Sequence, residues 1–274
     1  MRPTPHKILS SAAGAVLLGA AVLAPSPAQA IIGGHAVSAK SYPWMAALTS
    51  PVVFVRPSGH FCGGVLIKAD KVLTAAHCAK QVRFLIGSLR VTFGRSDLGR
   101  KKGGTTVKVK KIWINPAFRE GDLNGLETER NDVAVLTLAK KVKIKPVKLG
   151  SVTGKSGYVL GWGETKRLRV GDVRLRKATV PLVSQGDCAR AYGRALEPNM
   201  TCAGSPKADT CRFDSGGPLV VQVKKKVRIQ GQLEDRWEPR VVGLTSWAKG
   251  CAQPGYPGVY ARVSSFLDLI KKQL

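Results

Sequence analysis

The chain has 274 residues, 44% hydrophobic and 22% charged, with 44 Lys+Arg against 17 Asp+Glu and a net charge of +27. That length suits one all-β domain or two small ones, and the apolar content excludes a disordered chain, which could not bury enough surface to fold. A charge this high repels itself and attracts polyanions and anionic surfaces.

Residues 1–30 read as a secretory signal peptide. Arg2 and Lys7 precede the apolar run Ile8 to Leu23, and Ala28-Gln29-Ala30 has the small-x-small pattern of a cleavage site. The run contains Gly14 and Gly19 and falls short of the roughly 20 residues that span a bilayer. Arg2 and Lys7 are the only charges in this segment, so a product starting at Ile31 keeps +25 of the +27. No later run reaches membrane length, so no transmembrane segment is expected in the mature part.

From Ile31 onward the pattern is all-β. Short apolar runs at Val65-Leu66-Ile67, Val107 to Ile114, Val133 to Leu138, Tyr158-Val159-Leu160 and Val241-Val242 are separated by Gly, Pro, Asn and Asp. Lys141 to Gly150, which ends in glycine, is the expected connection between two halves. One helix is expected, at the C-terminus, capped by Ser264 or Ser265, with Phe266, Leu269 and Ile270 on one face and Lys271-Lys272 at the favourable end of the dipole.

All 6 cysteines follow residue 30 and none forms a CxxC pair. An even count in an exported chain points to disulfides rather than zinc, and spacing alone leaves their pairing open. Lys and Arg cluster at residues 100–102, 108–111, 140–148, 166–177 and 224–228. These stretches fit solvated strand faces or a surface for polyanions. Aromatics are not interleaved with them, which speaks against a specific nucleic-acid reader.

Three strings carry chemistry. In Phe213-Asp214-Ser215-Gly216-Gly217-Pro218 a glycine-rich turn can present a hydroxyl beside backbone N–H groups. Thr74-Ala75-Ala76-His77-Cys78 offers a base, and Asn131-Asp132-Val133 an acid to fix that base's tautomer. Each alone has a plain structural explanation, as a turn, a core histidine and a buried cap.

The three strings, in the order His, Asp, Ser, resemble the trypsin-like serine proteases of the chymotrypsin family, secreted bacterial trypsins among them. Ile31-Ile32-Gly33-Gly34, Cys62-Gly63-Gly64, Gly161-Trp162-Gly163, Ser246-Trp247 and Pro257-Gly258-Val259-Tyr260 also match family motifs in order. The resemblance implies two antiparallel six-stranded β-barrels packed together, at about 31–145 and 146–274, with a short C-terminal α-helix. It implies Ser215 as nucleophile, His77 as base, Asp132 as its orienting acid, and the backbone N–H groups of Phe213 and Ser215 as the oxyanion hole. Asp209 resembles the base of a pocket for Arg or Lys, followed by Thr210 and walled by Ser246, Trp247, Ala248 and Gly258. The implied disulfides are Cys62–Cys78, Cys188–Cys202 and Cys211–Cys251.

In this family the ammonium of a new N-terminus pairs with an aspartate. Here that pair would be Ile31 and Asp214; signal-peptide removal after Ala30 would create it directly, whereas a cut after Ala28 would leave Gln29-Ala30 as a short pro-segment. The expected product is a secreted, extracellular, monomeric endopeptidase acting on proteins or peptides at Arg or Lys, with no cofactor and no metal. Polyanions or anionic cell-surface polymers are the further expected partners.

The chain departs from the family at three places. Phe213 stands where the pattern has glycine, which implies backbone strain and a ring on the leaving-group side of the cleft, in the way of bulky inhibitors. Ala248 stands where trypsins usually have glycine, narrowing the pocket. The stretch Gly94 to Gly104 resembles the family's calcium loop but reads Arg95, Asp97, Arg100, Lys101 and Lys102, without the clustered carboxylates that calcium requires, so no calcium is expected there. Glu120, Asp122, Glu127 and Glu129 form one acidic cluster, read here as a solvated loop, and His35 and His60 are read as surface or edge residues. The rival to catalysis is a cationic polyanion-binding protein on a protease scaffold whose activity has decayed.

Overall fold

The computed structural model describes residues 1, 31–54, 56–100, 102–164, 173–229 and 232–274. The signal-peptide segment, Lys101 and the basic stretch at 165–172 lie outside the described residues.

Six antiparallel strands close the first barrel. They are β1 (Met45–Thr49), β2 (His60–Lys68), β3 (Lys71–Thr74), β4 (Arg90–Phe93), β5 (Thr105–Ile114) and β6 (Ala134–Leu138), in the spatial order β1-β2-β3-β6-β5-β4. β1 and β6 are buried along their whole length, whereas β5 starts by alternating exposed and buried residues, so Val107 and Val109 point inward while Lys108 and Lys110 face out.

The second ring comprises β7 (Ser156–Gly161), β8 (Arg176–Val183), β9 (Met200–Ala203), β10 (Pro218–Ile229), β11 (Gln232–Trp247) and β12 (Gly258–Arg262). Each strand pairs with two others in the circuit β7-β8-β9-β12-β11-β10, which returns to β7. The segment from 139 to 155 leads from one ring to the other, and its Lys148–Leu149 pairs in parallel with Arg240–Val241. The outer halves of β10 and β11 run on as an exposed ribbon.

Alternation along β7 ties the two cores together. Val159 packs with Ile31, Val180, Leu219, Val242 and Tyr260, while Tyr158 and Leu160 turn to the larger core shared with the first barrel. Burying such a side chain contributes about 1.5–3 kcal/mol. Three disulfides add covalent ties between Cys62 and Cys78, Cys188 and Cys202, and Cys211 and Cys251, each of the kind that stabilises by about 2–4 kcal/mol.

The C-terminus is helical, but differently from the expectation. A 3-10 turn occupies Val263–Phe266, and the α-helix covers only Leu267–Lys271, with no side-chain cap. Phe266 and Ile270 are buried while Leu269 is exposed, so the apolar face is narrower than the spacing suggested. Two helices were not anticipated: α1 (Ala76–Gln81) and α2 (Gln185–Tyr192), the latter capped by Ser184, whose Oγ accepts from the Asp187 N–H.

Candidate active site

The candidate residues meet where the two rings face each other. Gly63 of β2 donates its N–H to the Ser215 carbonyl at 2.7 Å, and Gly216 donates to Thr245 of β11 at 2.8 Å. Gly216 has φ 73°, and a Cβ there would overlap Thr74 Oγ1, so the residue after Ser215 has to be glycine.

His77 is the second residue of α1, directly after β3, and its neighbour Cys78 is fixed to β2 through Cys62. Asp132 lies two residues before β6 and is 1% exposed. Its Oδ1 accepts the His77 backbone N–H at 2.9 Å, and Oδ2 faces His77 Nδ1 at 2.8 Å. Ser246 Oγ donates to the same Oδ2 at 2.6 Å.

Burial works against the imidazolium of His77, but the adjacent Asp132 carboxylate outweighs it and holds the ring above its ordinary pKa. Burial also opposes the Asp132 charge, and His77 together with the donors from Ser246 and the backbone reverses that, so Asp132 stays below the usual carboxylate range. His77 and Ser215 line one cavity of about 440 Å³. Nε2 of His77 lies 3.5 Å from Cys78 Sγ, and among the described residues no hydrogen bond joins it to Ser215 Oγ. Such contacts commonly tighten only when substrate binds.

Ser215 also lines a second cavity, of about 330 Å³, with Thr210, Ser246, Trp247 and Ala248. Asp209, immediately before Thr210, is 1% exposed. Its carboxylate accepts from Thr210 N at 2.8 Å and Ala252 N at 3.0 Å, and a Cβ on Gly258 would stand 2.9 Å from Oδ1. Burial pushes its pKa up to about 7, with the two N–H donors pulling the other way. A carboxylate in that state favours a cation beside it.

Phe213 has φ 70°, the left-handed backbone region that the family pattern assigns to glycine and that costs a non-glycine residue about 1–3 kcal/mol. Its ring lines the 440 Å³ cavity with Val53 and Phe61, and the Arg56 guanidinium stacks over it at 4.7 Å. Asp214 is fully buried, accepting from Gly163 N at 2.8 Å and Cys211 N at 3.0 Å. Burial raises its pKa to about 7 despite those donors and the field of Arg56. Ile31 is buried in the second core, and a Cβ built on Gly161 would touch both Ile31 Cδ1 and the Asp214 carboxylate.

Two expectations need correction. His60 is not a surface residue but is wholly buried, its ring edge-on to Trp162 at 5.9 Å and its Nδ1 3.5 Å from Arg56 Nη1. Burial, reinforced by Arg56, lowers its pKa to about 3 and keeps it neutral. The acidic cluster is only partly a solvated loop. It forms a hairpin of Arg119–Leu123 and Leu126–Arg130 in which Glu120 pairs with Lys80, Glu127 lines the Ser215 cavity, and Glu129 is half-buried towards His77. Burial lifts Glu129 to about 7. The i, i+2 spacing of Glu127 and Glu129, three residues from Asp132, was the available signal.

Sequence reasoning missed Arg56, because a lone Arg before a proline reads as a loop residue. Cys62, His77 and Cys78 come together closely enough to suggest a metal centre, but the two sulfurs share a disulfide and offer no thiolate.

The family model described as Trypsin matches residues 31–270. The chain is 36% identical over 252 residues to a trypsin of Saccharopolyspora erythraea, covering 89% of this chain and 98% of that protein. It is 35% identical to a trypsin-like protease of Streptomyces glaucescens, over 96% and 91% of the two chains. With a trypsin of Pleuronectes platessa it shares 35% identity over 94% and 96%. The chain therefore belongs to the trypsin family and is a serine endopeptidase.

Proposed function

We propose that this protein is an exported endopeptidase that hydrolyses peptide bonds after Arg or Lys. The observation that carries the reading is the buried Asp209 carboxylate, held by the N–H of Thr210, a residue that lines one cavity together with Ser215.

The Arg or Lys side chain of a substrate enters that cavity and answers the Asp209 charge, which sets its carbonyl carbon against Ser215 Oγ. His77, held by Asp132, accepts the serine proton through Nε2 as the C–O bond forms. The N–H groups of Phe213 and Ser215 receive the oxyanion, a contribution of about 3 kcal/mol per donor. His77 then returns the proton to the leaving amine, and water, deprotonated by the same ring, releases the acyl group.

The division into a signal peptide at 1–30 and barrels at about 31–145 and 146–274 is part of this reading, as is pairing of a freed Ile31 ammonium with Asp214. Three disulfides fit an oxidising compartment, and among the described residues no helix is long and apolar enough to cross a membrane. The net charge of +27 supports polyanions or anionic surface polymers as accessory partners.

Labelling with a fluorophosphonate tests the assignment. The reading expects one label per chain, on Ser215, blocked by p-aminobenzamidine. Label on another residue, or none, would overturn it.

A further inference from the structure

Arg56 is an arginine at 3% exposure, a costly placement that needs compensation from its surroundings. It sits at the foot of the connection between β1 and β2, where Gly59 N–H closes on its carbonyl at 3.0 Å and Ser50 N–H on that of Gly59 at 2.9 Å. Its backbone therefore belongs to the first barrel. Its guanidinium crosses to the second, lying over the Phe213 ring at 4.7 Å with Nη1 3.5 Å from His60 Nδ1. The imidazole in turn rests against Trp162, and Asp214, next in the chain after Phe213, feels the Arg56 charge.

We infer that Arg56 is a positioning residue for the oxyanion hole, its planar cation clamping the Phe213 ring so that a non-glycine residue holds the left-handed backbone its N–H requires. The inference rests on the reading of that N–H as an oxyanion donor.

The physical logic is a local offset. At φ 70° the Phe213 backbone is drawn towards ordinary β or α conformations, and either would rotate its N–H away from the position of a developing oxyanion. A glycine would need no clamp. A phenylalanine ring with no partner would be free to turn, but with Arg56 stacked at 4.7 Å the Phe213 ring is held at the edge of the cavity it lines. Arg suits this task better than Lys because its flat, delocalised group stacks on the ring while Nη1 reaches the imidazole. Arg56 and Phe213 thus act as one unit, and the departure from glycine at 213 is matched by a cation 157 positions earlier in the sequence.

The test is a double-mutant cycle on the purified protein with a short chromogenic peptide ending in Arg. Arg56→Met is expected to lower kcat about tenfold with KM almost unchanged, and to weaken inhibition by a peptide aldehyde, whose adduct carries the oxyanion, by a similar factor. p-Aminobenzamidine, which uses only the Asp209 cavity, should bind as before. Phe213→Leu, which keeps the strained backbone and loses the ring face, should reproduce the kcat loss even if Arg56→Met does not fold. In Phe213→Gly the Arg56→Met substitution should change kcat less than about twofold, because glycine needs no clamp. An equal loss in both backgrounds, or a parallel loss of benzamidine binding, would mean a general structural role and overturn the inference. An active wild type with kcat unmoved by both Arg56→Met and Phe213→Leu would overturn it alone. A wild type that cleaves no such peptide would overturn the proposed function and this inference with it.

Discussion

Ser246 Oγ and His77 Nδ1 converge on one oxygen, Oδ2 of Asp132, at 2.6 and 2.8 Å. The serine comes from β11, 114 residues along the chain from the aspartate, so the second ring supplies part of the support for a pair held by the first. Removing it as Ser246→Ala strips a charge-assisted hydrogen bond from Asp132 and makes that carboxylate more basic. His77 then holds its proton more tightly, and the acid limb of kcat/KM moves to higher pH. We expect about a tenfold loss of kcat/KM near neutrality that narrows as pH rises, measured from a pH profile of both proteins.

Glu129 acts on the same imidazole from the hairpin side. Its carboxylate favours the imidazolium, and His77 has to be neutral to serve as base, so Glu129→Gln should move the acid limb to lower pH. The shift should be modest, about half a unit, because Glu129 itself titrates near 7 and is already neutral below that. A limb moved upward, or not at all, would show that its charge does not reach His77.

Asp209 should make cation binding pH-dependent. Its pKa of about 7 in the free site has to fall when a cation binds, so p-aminobenzamidine affinity should be constant at alkaline pH and decline below about 7, by up to tenfold per unit. In Asp209→Asn the profile should flatten and affinity fall by about two orders of magnitude or more. Titration calorimetry across this range is the check.

Asp214 links processing to stability. A carboxyl raised to about 7 in the folded state, against its ordinary value unfolded, costs stability progressively as pH rises through that window. In the proposed pairing an ammonium at Ile31 would remove that cost. Protein starting at Ile31 should therefore melt above protein retaining Gln29-Ala30 at pH 7.5, and the two should converge at acid pH, where Asp214 is protonated in both. Equal melting temperatures at pH 7.5 would remove the Ile31–Asp214 pair from the account.

Much of the fold was legible because buried strands leave short apolar runs. Val65-Leu66-Ile67, Tyr158-Val159-Leu160 and Val241-Val242 all lie in strands of the two rings. What escaped depended on contacts distant in sequence. α1 is six residues long and held by Cys78 and by Asp132 rather than by periodicity. His60 looked like an edge residue until Trp162 and Arg56 enclosed it. The strings around His77, Asp132 and Ser215 suggested chemistry, but only resemblance could join them, since no local rule connects residues 55 and 83 positions apart. Nothing local, likewise, announces that Arg56 meets Phe213.

The most direct measurement of the central claim is hydrolysis of matched chromogenic peptides ending in Arg, Lys, Phe or Ala by the purified protein, with Ser215→Ala alongside. The account predicts cleavage after Arg and Lys far above Phe and Ala, and its disappearance in Ser215→Ala. Preference for Phe or Ala, or activity that survives in Ser215→Ala, would contradict it.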